Sequence, residues 1–138
     1  MKSVLLDTNI ILDLIGRRMP FYPATARLFS LGERQKVQLY TSSLSIASIA
    51  YILRKELTRD NLRKILSNLA LLVDTLDLSG KIIELALAEK SFDDFEDSIQ
   101  FFTARENNID IIISRNHKDF KASTIPVMDC GQFVSSIK

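Results

Sequence analysis

The chain has 138 residues, 46% hydrophobic and 25% charged, which excludes a disordered tail, a collagen-like fibre and a coiled coil. Eighteen Lys and Arg against seventeen Asp and Glu leave a formal net charge of +1, so no whole-molecule field advertises nucleic acid or anionic lipid. The one cysteine, Cys130, and the one histidine, His117, can build neither a disulfide framework nor a four-ligand Cys/His zinc site within the chain. A single domain over residues 1–138 in the cytoplasm is expected.

In chain order, the first strand is Ser3–Leu6, and Asp7 cuts short the only apolar run placed like a signal peptide. Further β-branched runs at Val37–Thr41, Leu72–Leu76, Asp110–Ser114 and Ile125–Met128 have the length of strands buried on both faces. Between them Thr8–Ile15, Ala24–Glu33, Leu44–Leu57, Thr58–Leu71, Ser79–Lys90 and Asp94–Asn107 carry apolar residues at helical spacing, several behind a Ser, Thr or Asp suited to an N-cap. A last short helix is expected over Gly131–Ile137. No apolar stretch is long enough to cross a membrane. Strands alternating with helices predict an α/β fold: a mostly parallel sheet of about five strands between two helical layers, in which ligands collect beyond the carboxyl ends of the strands.

Three polar groups fall at that edge. Asp7, followed by Thr8 and Asn9, ends the first strand, where an isolated Asp also serves as an N-cap. Asp93-Asp94-Phe95-Glu96-Asp97 opens a helix, where acidic residues complement the helix dipole. At about 100° per residue, Asp94, Asp97, Phe101 and Ala104 share one arc, while Glu96, Gln100 and Thr103 group on the expected solvent face. Asp97 is thus a carboxylate among apolar neighbours, which calls for a partner or a metal, with Asp94 its companion. The fourth strand runs out into Ser114-Arg115-Asn116-His117-Lys118-Asp119-Phe120, where Asn116 or Asp119 offers oxygen ligands and Arg115, His117 and Lys118 offer phosphate contacts. Oxygen donors without Cys or paired His point to Mg²⁺ or Mn²⁺.

Leu5-Leu6-Asp7-Thr8-Asn9, Ser43-Leu44-Ser45-Ile46-Ala47-Ser48-Ile49-Ala50-Tyr51, Asp94-Phe95-Glu96-Asp97 and Ser114–Phe120 together resemble the PIN-domain family, the metal-dependent ribonuclease fold of VapC-type toxins and related nucleases. The resemblance runs through essentially the whole chain. It implies Asp7 and Asp97 as metal carboxylates, Asn116 or Asp119 at a fourth position, and Ser114 as the hydroxyl near the metal. The family's usual second-position Glu falls on Ser48, a departure shared by a subgroup with the Asp-Phe-Glu-Asp run, and Asp94 adds a carboxylate that could compensate. By helical angle Ser48 lies between Leu44, Tyr51 and Ile52, a polar break in an apolar stripe; bonding to a backbone carbonyl one turn back would also account for it.

The activity implied is Mg²⁺- or Mn²⁺-dependent cleavage of single-stranded or looped RNA, with Arg17, Arg18, Arg54, Lys55, Arg115 and Lys118 as candidate phosphate contacts. The implied partners are the RNA, a small antitoxin that covers the site, and a second copy of the chain. The competing reading keeps the fold but treats Ser48 as the mark of a decayed site in a module that binds RNA or protein.

Overall fold

The computed structural model describes residues 1–137. Its elements in chain order are β1 (Lys2–Leu6), α1 (Thr8–Ile15), α2 (Tyr22–Glu33), β2 (Val37–Ser42), α3 (Ser43–Leu53), α4 (Arg59–Leu72), β3 (Asp74–Leu76), α5 (Gly80–Ala88), α6 (Phe95–Glu106), β4 (Ile111–Ile113), a 3-10 turn (His117–Phe120), β5 (Val127–Met128) and α7 (Cys130–Ser136). Each expected strand and helix is present, with ends shifted by a few residues. The shifts at the starts have a local cause: Asp7, Ser42, Thr58, Ser79, Asp94 and Asp129 each stand just before a helix and accept a backbone N–H of its first turn. Such caps contribute about 1 kcal/mol apiece.

Five strands form one sheet in the order β3-β2-β1-β4-β5, and every pairing is parallel. Side chains alternate across it, as a period of two requires. Val4, Leu6, Ile111 and Ile113 point into a core shared with α1, α2, α3, α4 and α7. Leu5 and Ile112 point the other way, into a core with α5, α6 and the aromatic rings of Phe92 and Phe120. The result is a three-layer α/β/α sandwich whose two middle strands are buried on both faces. Burial of each such Val, Leu or Ile side chain contributes about 1.5–3 kcal/mol. On α2, Gly32 allows the helix to lie close on the sheet: a Cβ there would stand 2.5 Å from Leu39 Cδ1.

The edge strand departs from expectation. Asp74 and Thr75 of β3 are exposed, because an edge strand has a neighbour on one side only and its short run is not covered by a full helical layer. Among the described residues no helix is long and apolar enough to cross a membrane.

From β1 the chain crosses to β2 on one side and later returns to β4 on the other. The carboxyl ends of β1 and β4 therefore mark the point where the sheet order reverses, the usual place for a ligand crevice in such sheets. Asp7 leaves β1 there, its N–H still donating to the Ile113 carbonyl at 2.9 Å.

Candidate active site

Asp7 satisfies both expectations made of it. It caps α1, with Oδ1 accepting from the Thr8 N–H at 2.9 Å. Its Oδ2 accepts from the Ser114 hydroxyl at 2.8 Å, across the β1/β4 divide. Ser114 is itself fully buried, and its Oγ accepts the Asn116 N–H at 3.0 Å. Burial pushes the Asp7 carboxyl above its ordinary range, against the two hydrogen bonds, which favour the charged form.

A second network joins α1, α3 and α6. Ser45 Oγ lies 2.8 Å from Thr8 Oγ1, 3.2 Å from Ser42 Oγ and 2.7 Å from Gln100 Nε2, which donates to it. Here the helical-arc reading of α6 needs correction. Gln100 and Thr103, expected on a solvent face, are buried, and so is the whole run Ser98–Ala104. This helix is covered on all sides because α5 and the sheet pack one face while α3 and the strand-end polar groups take the other. Gln100 consequently faces the candidate site, with Oε1 buried and lacking a protein hydrogen-bond partner. Sequence reasoning missed Gln100 and Ser45; the available signal was a polar residue at every turn of a helix otherwise rich in Phe and Ile.

At the carboxyl edge of the sheet a cavity of about 260 Å³ is walled by Asp7, Asp94, Asp97 and Asp119, with Glu96 also on its surface. Thr8, Asn9, Ser48, Gln100 and Asn116 supply its uncharged polar lining. Three sequence-distant acidic groups are thus brought together, from β1, the start of α6 and the 3-10 turn. Asp94 is the N-cap of α6, its Oδ1 accepting from Glu96 N at 2.7 Å and Asp97 N at 3.4 Å. Asp97, half-buried one turn further in, has its carboxyl pushed up to about 7, first by burial and then by the charges of Asp94, Asp7, Asp119 and Glu96. Among the described residues the cavity wall holds no Lys or Arg.

The basic residues lie elsewhere. Arg115, expected to meet phosphate, instead turns away toward α1, donating from Nε to Asp13 Oδ2 at 2.9 Å and from Nη2 to Asp13 Oδ1 at 3.1 Å. Its guanidinium also lies 3.9 Å from the centroid of the Phe21 ring. Asp13, a carboxylate in the apolar run of α1, is 0% exposed and had no place in the sequence reading; a charge amid Ile and Leu was the signal that a partner existed. Arg18 is 4.0 Å from the same carboxylate, while Arg17, His117 and Lys118 are exposed outside the cavity. Arg54 covers the Tyr51 ring at 3.6 Å from its centroid.

Ser48 also stands differently from expectation. The buried stripe of α3 is Ser45, Ile49 and Leu53, one residue around the helix from the stripe read in the sequence. Tyr51 and Ile52 are 56% and 47% exposed. Ser48 lies half-buried on that open face and lines the carboxylate cavity.

The donor chemistry of the cavity fits a hard divalent cation. Every polar group is an oxygen or an amide, burial and the neighbouring carboxylates raise the proton affinity of Asp97, and Gln100 Oε1 has unused lone pairs. Among the described residues no three acidic, His or Cys side chains close on a common point.

Comparison with known proteins identifies the family. A family model described as PIN domain matches residues 3–118. Ribonuclease VapC1 of Aquifex aeolicus (strain VF5) is 28% identical over 96% of this chain and 93% of its own length. A toxin–antitoxin complex from Klebsiella pneumoniae contains a chain that superposes with a TM-score of 0.70 at 25% identity, covering 93% of this chain and 98% of that one. Mycobacterium tuberculosis VapC20, described as a Sarcin-Ricin loop cleaving toxin, superposes with a TM-score of 0.69 at 17% identity, over 89% of this chain and 96% of its own, and so shares the fold. Since the matched span runs from β1 through the start of the 3-10 turn and includes Asp7, Asp97 and Ser114, the chain belongs to the PIN-domain family.

Proposed function

We propose that this protein is an Mg²⁺- or Mn²⁺-dependent endoribonuclease of the toxin type, in which Asp7, Asp97 and Asp94 hold the ion and Asn116 or Asp119 completes the site. The observation that carries this reading is a set of four aspartates, from three sequence-distant segments, around one cavity that among the described residues has no basic residue to balance them. The kinship with Ribonuclease VapC1 and with a toxin–antitoxin complex supports RNA as substrate and a small antitoxin as partner. A bound divalent ion would supply charge neutralisation and activation of water for phosphodiester cleavage.

The chain's own groups prepare the site for that role. Ser114 and the Thr8 N–H fix both oxygens of Asp7, so its carboxylate cannot rotate freely. Asp94 secures the first turn of α6 and thereby sets where Asp97 projects. The Ser45, Thr8 and Gln100 network ties α1, α3 and α6 together under the cavity. Near neutrality Asp97 is shared between its charged and protonated forms, and a cation would draw the proton off.

Cleavage of an unstructured RNA, followed with Mn²⁺ and with EDTA, tests the reading. Asp7→Asn and Asp97→Asn should abolish cleavage while keeping a cooperative melting transition, and Glu96→Gln, at the exposed rim, should cleave within about threefold of the parent. Activity that survives EDTA, or survives either Asp variant, would refute the assignment. The second reading, a binding module with a decayed site, rests on Ser48 in place of the usual Glu and on the open spacing of the acidic groups. It expects no change in melting temperature on adding Mn²⁺.

A further inference from the structure

Asp13 is buried to 0% exposure on α1, six residues beyond Asp7, and the reading of the carboxylate cavity leaves it unused. An isolated carboxylate would be strongly disfavoured among Ile10, Ile11 and Leu12. It is matched by Arg115 in a two-pronged ion pair of 2.9 and 3.1 Å, the planar geometry that a guanidinium fork gives and an ammonium cannot. Phe21 covers the guanidinium face, so Arg115 is held from two sides. What Arg115 belongs to gives the pair its meaning. It directly follows Ser114, whose hydroxyl bonds Asp7, and directly precedes Asn116, whose N–H bonds Ser114. Asp119, in the 3-10 turn that follows, and Asn116 both line the carboxylate cavity. The segment leaves a three-residue strand at Ser114, which is held by Asp7, and next meets the core at the buried Phe120, so between those two points Arg115 is the side chain that ties it to α1.

We propose that Asp13 is a positioning residue: by clamping Arg115 to α1 it fixes the chain after β4, and with it Ser114, Asn116 and Asp119, at the carboxylate cavity. Arg115 on this view does not contact substrate phosphate; it is the handle by which the loop is held. The proposal rests on the nuclease reading of that cavity, but the arrangement of the segment can be measured without it.

The test uses the full chain with Asp13→Asn, Arg115→Lys and the double variant. Single-turnover cleavage of RNA should fall about 10- to 100-fold in each single variant at saturating RNA, with the half-saturating RNA concentration unchanged within about threefold. The double variant should lose no more than the worse single one, because the two residues act as one unit. Arg115→Lys separates the alternatives, since lysine keeps the charge and any point contact with phosphate but loses the fork. A Lys variant that cleaves at the parent rate, or one whose defect lies in half-saturation with a weaker salt dependence, overturns the proposal. Amide hydrogen exchange gives a readout that needs no activity: exchange of residues 115–120 should speed up in Asp13→Asn relative to β1 and α6. Unchanged exchange in that segment also overturns it. If the parent itself cleaves no RNA, the nuclease reading fails and the exchange result alone decides the role of Asp13. Should Asp13→Asn not fold, Arg115→Lys carries both measurements.

Discussion

Removal of the Asp97 charge should stabilise the ion-free protein at high pH while destroying its function. The Asp97 carboxyl stands at about 7 in the fold against an ordinary value of 3.8. Between those values the folded chain keeps a proton that the unfolded chain has released, so the stability linked to this group is full below the ordinary value and is lost as pH rises through about 7. Asp97 is only half-buried, and discounting for solvent screening leaves about 1–2 kcal/mol. Asp97→Asn keeps the shape and removes the repulsion from Asp94, Asp7 and Asp119. In EDTA at about pH 8 the variant should melt about 3–7 °C above the parent; the gap should narrow at about pH 5 and close only below the ordinary value of 3.8, where the carboxyl is protonated in both the folded and the unfolded chain. Mn²⁺ should reverse the order at the higher pH by stabilising the parent alone. Scanning calorimetry across this range, with and without ion, reads all three arms. A variant that melts below the parent in EDTA at about pH 8, or a difference that does not shrink on acidification, would refute the reasoning that Asp97 is destabilised by its acidic neighbours.

Ser48→Glu places a sixth acidic side chain on the cavity already lined by Asp7, Asp94, Glu96, Asp97 and Asp119. It should lower the melting temperature in EDTA by about 2–4 °C, gain more than the parent on adding Mn²⁺, and raise cleavage most where the ion is limiting; equal destabilisation in both conditions counts against Ser48 facing an ion. Gln100→Leu deletes the amide that donates to Ser45 at 2.7 Å and should cost about 1–2 kcal/mol in urea unfolding together with a loss of cleavage. A silent Gln100→Leu would mean that the α1, α3 and α6 network does not support the site.

The alternation of β-branched strands with helical segments and the capping Ser, Thr and Asp residues were enough to fix element order, parallel pairing and the sheet edge where polar groups collect. These features are local: period, cap and breaker act within a few residues of one another. The gathering of Asp7, Asp97 and Asp119 was legible for the same reason, because each directly follows a strand or opens a helix whose direction the topology dictates. The face of α6 was not legible. Gln100 and Thr103 are polar, and polarity in a single helix reads as exposure until a neighbour is known to cover it; α3 and the Ser45 hydroxyl supply that cover from fifty-five residues away. Arg115 was misread in the same manner. A basic residue in a loop at a nuclease-like edge suggests phosphate, and only the packing of α1 against the end of β4 shows that a buried carboxylate, Asp13, already takes both prongs of its guanidinium. Chain direction and periodicity settle which residues reach the site, whereas the partner each polar group finds depends on contacts a hundred residues apart, and those exist only once the layers have closed on the sheet.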